Sequence, residues 1–447
     1  MWVYVRGFRC VGLSAARDNG TFLALSEIET SAQPDMPEGA YQRPEAALDR
    51  HQPAARPWGR SVLPHLVPAA RGRPPTGPVE GRSRWRSCGD WVTKRSCTVT
   101  GQDRPVLLVG SVNLPTRDDV FEAAAEYLTG GLRSVPDGET GNRGVWVSWE
   151  LNRIGKLPQV DVVDEMTFTS PVLGEFSNPV LVPAEGVDLA EVTFGPFNYV
   201  REAVDSYDRF KELRTAGRFS PETRFQVSIP TPMMFAMVFP KHQAEVLGVF
   251  ERDLGVEVAA LLDEIPADDL AVQWDVSGEV IMEEQVRYSE AAWGDTGNWS
   301  LEAATASIAR VSDPIPEAVL LGVHLCYGDP EGTHMIEPRD LAVPVDFANN
   351  VAKLTTRRLD WVHMPVPIER DDDAYFAPLT GLKLSPETQL YLGLLHKEDG
   401  MAGAARRIAI AAKHVTDFGL ATECGMGREP AEAIDGLLRL HRDAAAL

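Results

Sequence analysis

From about residue 104 to the C-terminus, apolar runs of five to eight residues alternate with longer stretches whose apolar positions recur at helical spacing. The short runs read as buried strands at 106–112, 132–135, 225–229, 270–275, 320–326, 359–364, 390–396 and 418–424. Helices are predicted at 118–128, 243–263, 299–310, 346–357, 402–416 and 429–444. Thr116, with Asp119 three residues on, is a capping signal for the first, and Pro430 suits the first turn of the last. Eight strands separated by helices are the pattern of an α/β fold, a (β/α)8 TIM barrel over residues 104–447. Its largest insertion, 141–223, follows the second strand and carries a helix near 198–216.

Before residue 104 this periodicity is missing. Residues 1–100 hold ten prolines and 14 Lys+Arg against 9 Asp+Glu, and all but one of those basic residues are arginine. The remainder carries 29 against 56, a net of −27. Residues 1–103 therefore read as a low-order Arg/Pro-rich extension, or as text translated from ahead of the true start, and are assigned no function. Their apolar beginning is broken by Arg6 and Arg9, which does not suit a secretory signal. A whole-chain charge of −22 argues against nucleic acid and anionic membranes as partners. No apolar stretch approaches the ~18–20 residues of a membrane span. Five scattered cysteines imply reduced thiols and a cytoplasmic protein.

Barrel chemistry gathers at the C-terminal ends of strands, so the polar residues there carry the functional reading. The second strand runs into Asp137-Gly138-Glu139, the fourth into Gln273-Trp274-Asp275, and the fifth into His324-Leu325-Cys326-Tyr327-Gly328-Asp329. His363 and His396 lie on the sixth and seventh, and the eighth ends in Thr422-Glu423-Cys424-Gly425. Side chains alternate along a strand, so His324 and Cys326 share a face. An imidazole and a thiolate at that spacing suit Zn²⁺, with Cys424 as a third ligand across the barrel. A buried cysteine and a hydrogen-bonded histidine are the plain alternative.

These motifs, in this order, resemble the catalytic barrel of cobalamin-independent methionine synthase, within the superfamily that includes uroporphyrinogen decarboxylase. Val109-Gly110-Ser111-Val112 resembles that family's Ile-Gly-Ser-Phe, Asp137-Gly138-Glu139 its His-Gly-Glu, and Gln273-Trp274-Asp275 its Gln-Ile-Asp. His324-Leu325-Cys326-Tyr327 resembles its zinc-binding His-Met-Cys-Tyr, and Glu423-Cys424-Gly425 its Asp-Cys-Gly. The resemblance implies Zn²⁺ on His324, Cys326 and Cys424. It also implies Ser111, Glu139 and Asp275 as substrate-binding residues, the two carboxylates holding an amino group, and His396 as a catalytic residue. The family's fourth ligand, a Glu ending strand six, is absent: Pro365 stands near its place. His363, of the same strand parity, is the expected replacement, with Glu369 second. The family's Asp-Glu-Pro after strand four is replaced by Val276-Ser277-Gly278-Glu279, and its long N-terminal barrel has no counterpart.

The reaction expected from these parts is methyl transfer to a thiol on a homocysteine-like acceptor, from a methyl-folate or methyl-corrinoid donor. Zinc activates an entering thiol at neutral pH. The competing readings are a metal-free lyase of the decarboxylase branch and a barrel that binds its ligand without turnover. Arg143 can pair with a carboxylate or a phosphate or stay at the surface, and His334 is expected in a solvated loop.

Overall fold

Seven parallel strands curl into one sheet in a computed structural model that describes residues 103–128, 130–288 and 299–447. In chain order the strands are β1 (Ser134–Pro136), β2 (Val160–Ser170), β3 (Gly174–Pro183), β4 (Arg224–Pro230), β5 (Leu270–Val276), β6 (Leu320–Leu325), β7 (Trp361–Pro365), β8 (Gln389–Leu395) and β9 (Gly419–Thr422). The sheet runs β1-β4-β5-β6-β7-β8-β9, while β2 and β3 form a separate antiparallel hairpin. Val106 bridges both Leu132 and Leu420 in parallel, and Leu107 N–H donates to the Leu420 carbonyl at 2.9 Å. The ring is thereby closed, as a (β/α)8 barrel requires.

The expected first strand, 106–112, is present only as isolated bridges at Val106 and Val112. The reason lies in its carbonyls. The side-chain amide of Gln273 donates to Val109 O at 2.6 Å, and that of Gln226 to Val109 O at 3.0 Å and Leu108 O at 3.3 Å. Interior amides replace part of the ladder that a continuous strand would make.

The barrel interior is built in layers two residues apart. Leu107, Val109, Ala271, Leu320, Trp361, Tyr391 and Ala421 form a buried apolar cluster of their own. Trp361 enters this floor only because residue 322 is glycine: a Cβ there would lie 1.8 Å from the indole. Above it come the amides of Gln226 and Gln273, with Trp361 Nε1–H donating to Gln273 Oε1 at 3.2 Å. The next layer holds Asp275, His324 and His363, paired in register across β5, β6 and β7. The larger core lies outside the sheet. There Trp274 points toward the helix Leu301–Ser312 and donates to Ser312 Oγ at 3.0 Å.

The helix Arg117–Tyr127 opens with the capping box of Thr116 and Asp119 that the sequence predicts. The helices Gln243–Glu264, Ala342–Leu354, Gly400–Ala411 and Ile434–Ala445 fall near their expected places. Short helices at Ser148–Ile154, Pro232–Ala236, Gly278–Tyr288 and Asp373–Phe376 were not expected. The insertion after β1 holds the expected helix, Tyr199–Thr215, and also the unanticipated hairpin, most of whose β2 residues are exposed. Among the described residues no helix is long and apolar enough to cross a membrane. The extension to residue 102, with Cys10, Cys88 and Cys97, lies outside the described residues.

Candidate functional site

Two groups of polar side chains meet at the C-terminal mouth of the barrel. The first comes from the ends of β6 and β9. Cys326 Sγ and Cys424 Sγ are 3.5 Å apart, and His324 Nε2 is 3.7 Å from Cys424 Sγ. The three donor atoms all lie within 4.8 Å of one another. Zinc–ligand bonds of ~2.3 Å to sulfur and ~2.0–2.1 Å to nitrogen in a tetrahedron place S···S at about 3.8 Å and S···N at about 3.6 Å. The two separations to Cys424 are close to those edges, and the donor set is the one zinc prefers. Cys326 also accepts a hydrogen bond from Gly328 N–H at 3.3 Å. Both cysteines are free thiols. The hydrogen bond with Cys326, then burial and the charge of Asp329, push the Cys424 thiol well above the usual range. Without a cation, proton loss here is disfavoured.

His363 does not join these three donors. It stands behind His324, Nδ1 to Nδ1 at 2.7 Å, and its Nε2 lies 3.1 Å from the Thr422 carbonyl. Burial pushes its pKa down to about 3, and burial together with His363 lowers that of His324 far below the usual value. Glu369 is exposed, and Pro365, as the sequence shows, offers no ligand.

The second group is held by the turn after β1 and by β5. Gly138 adopts φ 78°, and a Cβ there would meet Val120 at 2.7 Å, so glycine is required on both counts. Glu139 follows with φ 50°, held by Asp137 Oδ1, which accepts its N–H at 3.0 Å. Asp137 is the hub of the turn: Arg143 grips both its oxygens at 3.1 and 2.8 Å, and Ser206 donates at 2.6 Å. Arg143 is thus a half-buried partner of a carboxylate. Asp275 accepts from Gln273 Nε2 at 2.9 Å and from Trp146 Nε1 at 3.2 Å. Burial raises the pKa of Glu139, and the neighbouring charge of Asp275 raises it further. Asp275 is raised by burial against the pull of its two donors. Beside them a narrow cleft is lined by Glu139, Arg143, Trp146, Trp149, Tyr199 and Ser228.

Arg428 lies between the two groups in its electrostatics. Burial works against its charge, and Asp329, Cys424, Cys326 and Glu139 outweigh that. Among the described residues its only ion pair within 4 Å is with Asp329 Oδ1, at 3.3 Å, and its buried Nε has no hydrogen-bond partner. Ser111 is buried nearby: a Cβ on Gly425 or Gly427 would fall 2.4 or 2.6 Å from its Oγ. His396 Nε2 lies 2.9 Å from the Val366 carbonyl and its Nδ1 4.0 Å from Glu423 Oε2. Burial, helped by Arg407, pushes its pKa down to about 4. His334, expected in solvent, is instead wedged between Glu423 and Glu337, 3.1 Å from each. Burial opposes its charge, but those carboxylates hold its pKa up at about 9.

Sequence reading overlooked Arg428 and Trp146. Arg428 follows the Glu-Cys-Gly motif by three residues, which is a usable signal; nothing in the local sequence marks Trp146.

No protein-family model and no curated protein matches this chain. Among solved structures, the chain is similar to a B12-independent methionine synthase from Shewanella sp. W3-18-1 in complex with selenomethionine. The two share 15% identity, with 76% of this chain and 96% of that one covered and a TM-score of 0.46.

Proposed function

We propose that this protein is a zinc-dependent methyltransferase that methylates the thiol of a homocysteine-like amino acid, as methionine synthase does. The observation that carries the reading is the convergence of His324 Nε2, Cys326 Sγ and Cys424 Sγ, from two distant strand ends, at spacings that fit tetrahedral zinc. A bound zinc ion would supply Lewis-acid activation of an entering thiol. Everything else falls to the chain's own side chains.

Glu139 and Asp275 receive the acceptor's ammonium group. Burial makes both resist ionising, even with Arg143 and Arg428 near Glu139, and an ammonium between them supplies further counter-charge. Asp275 is the register neighbour of His324, so an amino acid whose ammonium sits on this pair carries its thiol toward the sulfurs. Arg428 and Ser111 face its carboxylate; the unpartnered guanidinium Nε supports this assignment. His396 is the catalytic acid–base group. Its Nε2–H is committed to Val366, so protons enter and leave at Nδ1, on the side of Glu423. In the transfer the acceptor sulfur bonds to the methyl carbon as the donor's bond to that carbon breaks. A methyl-folate or a methyl-corrinoid serves as donor, in a cytoplasm that keeps such thiols reduced.

The test is a transfer assay with zinc-loaded protein, homocysteine and each donor class. Methionine formation that requires the metal is the expected result. Equal turnover after exhaustive chelation, or none with either donor, would overturn the proposal.

A further inference from the structure

We propose that His363 is a positioning residue rather than a metal ligand: it fixes the tautomer and orientation of His324, so that His324 offers the metal a bare Nε2. The inference rests on the zinc reading above and concerns how the site is held.

The argument is a chain of donors and acceptors. A carbonyl oxygen only accepts, so the hydrogen between His363 Nε2 and Thr422 O, 3.1 Å apart, belongs to His363. His363 is fully buried and His324 nearly so, which keeps both rings neutral. A neutral imidazole with a hydrogen on Nε2 has a bare Nδ1. The hydrogen in the 2.7 Å contact between the two Nδ1 atoms therefore belongs to His324. His324 in turn has a bare Nε2, and that atom is the one 3.7 Å from Cys424 Sγ. Both nitrogens of His363 are thus spoken for, which leaves it no lone pair for a metal.

The relay also ties the ligands together. His324 and His363 are register partners on β6 and β7, while Thr422 ends β9, two residues before Cys424. Thr422 Oγ1–H donates to the Cys424 carbonyl at 2.7 Å, fixing the turn that presents the thiol. The strand end that anchors the relay therefore also delivers a ligand. Metal-bound histidines commonly lean on a carboxylate or a carbonyl. Here a second neutral imidazole passes the carbonyl's polarity on and adds no charge beside two thiolates.

The test compares full-length wild type with His363→Leu, which cannot accept, and His363→Gln, whose amide can accept from His324 and donate to Thr422. Zinc affinity is measured by competition with a chromophoric chelator, and the metal's neighbours are counted by X-ray absorption. Losing such a support costs about 10–100-fold in metal affinity, and His363→Gln is expected to restore it to within about threefold of wild type. The wild-type spectrum is expected to show two sulfurs and one imidazole. Two imidazoles would make His363 a ligand and overturn the inference, and so would an affinity unchanged in His363→Leu. A failure of His363→Gln to rescue would count against the relay as well. Wild type that binds no zinc defeats the earlier reading itself, an outcome separable from the other three.

Discussion

The two halves of the barrel mouth answer the same electrostatic problem with different atoms. On one side, Cys326, Cys424 and His324 crowd two thiols and a bare imidazole nitrogen into a few ångströms, and the Cys424 thiol is held protonated. On the other, Glu139 and Asp275 crowd two carboxylates into a buried corner, where both resist ionising. Arg143 and Arg428 offset only part of the crowding around Glu139, and Arg428 only part of that around Cys424. Soft sulfur and nitrogen select a metal such as zinc, whereas oxygens among aromatic walls select an ammonium group. In the proposed function donor chemistry sorts two cations at one barrel mouth, and one molecule carrying a thiol and an ammonium engages both halves.

The sharpest way to separate the halves is to break one and assay the other. Cys424→Ser is expected to weaken zinc binding by at least about 100-fold, more than the loss of a supporting residue costs. Binding of a thiol-free amino acid such as methionine, followed by calorimetry, is expected to persist in that variant. Glu139→Gln should do the reverse. Loss of a hydrogen bond to a charged group costs about 1.5–3 kcal/mol, or about 10–100-fold in amino-acid affinity. Zinc affinity should stay within about twofold, because the two sites are separately built. If either substitution removes both activities equally, the division is wrong.

Arg428→Gln refines the carboxylate end. Wild type is expected to prefer an amino acid over its decarboxylated amine, and the substitution to reduce that preference by about tenfold. A loss shared equally by both ligands would assign Arg428 to structure alone. The smallest effect is that of pH. Below their raised pKa values Glu139 and Asp275 retain a proton, and an ammonium ligand must expel it. Amine affinity should therefore climb across the neutral range, by up to about tenfold per pH unit, with proton release seen in buffers of different ionisation enthalpy. Affinity that stays flat or falls with rising pH would contradict the raised carboxylates as the ammonium site.

Much of this arrangement was legible because period-two alternation and barrel topology are strong constraints. His324 and Cys326 had to share a face, and a strand end carrying Cys424 had to return to the same mouth. Asp137-Gly138-Glu139 was legible as a polar strand end, but the hold of Arg143 and Ser206 on Asp137 comes from six and 69 residues away and left no local mark. His363 shows the limit. Its strand parity correctly placed it toward the barrel axis, but whether an inward imidazole reaches an ion or another ring depends on depth, which parity does not encode. The hairpin of β2 and β3 escaped because most of its β2 residues are exposed, so no buried face marks it. The first strand is interrupted by Gln226 and Gln273, residues 114 or more positions past its end. No local pattern could have announced them.

The most direct test of the central claim is the zinc content of full-length protein purified with its thiols reduced, beside that of Cys326→Ser prepared in the same way. One zinc per chain in the wild type, lost in the variant, is the predicted result. Full occupancy in the variant, or none in the wild type, would contradict it.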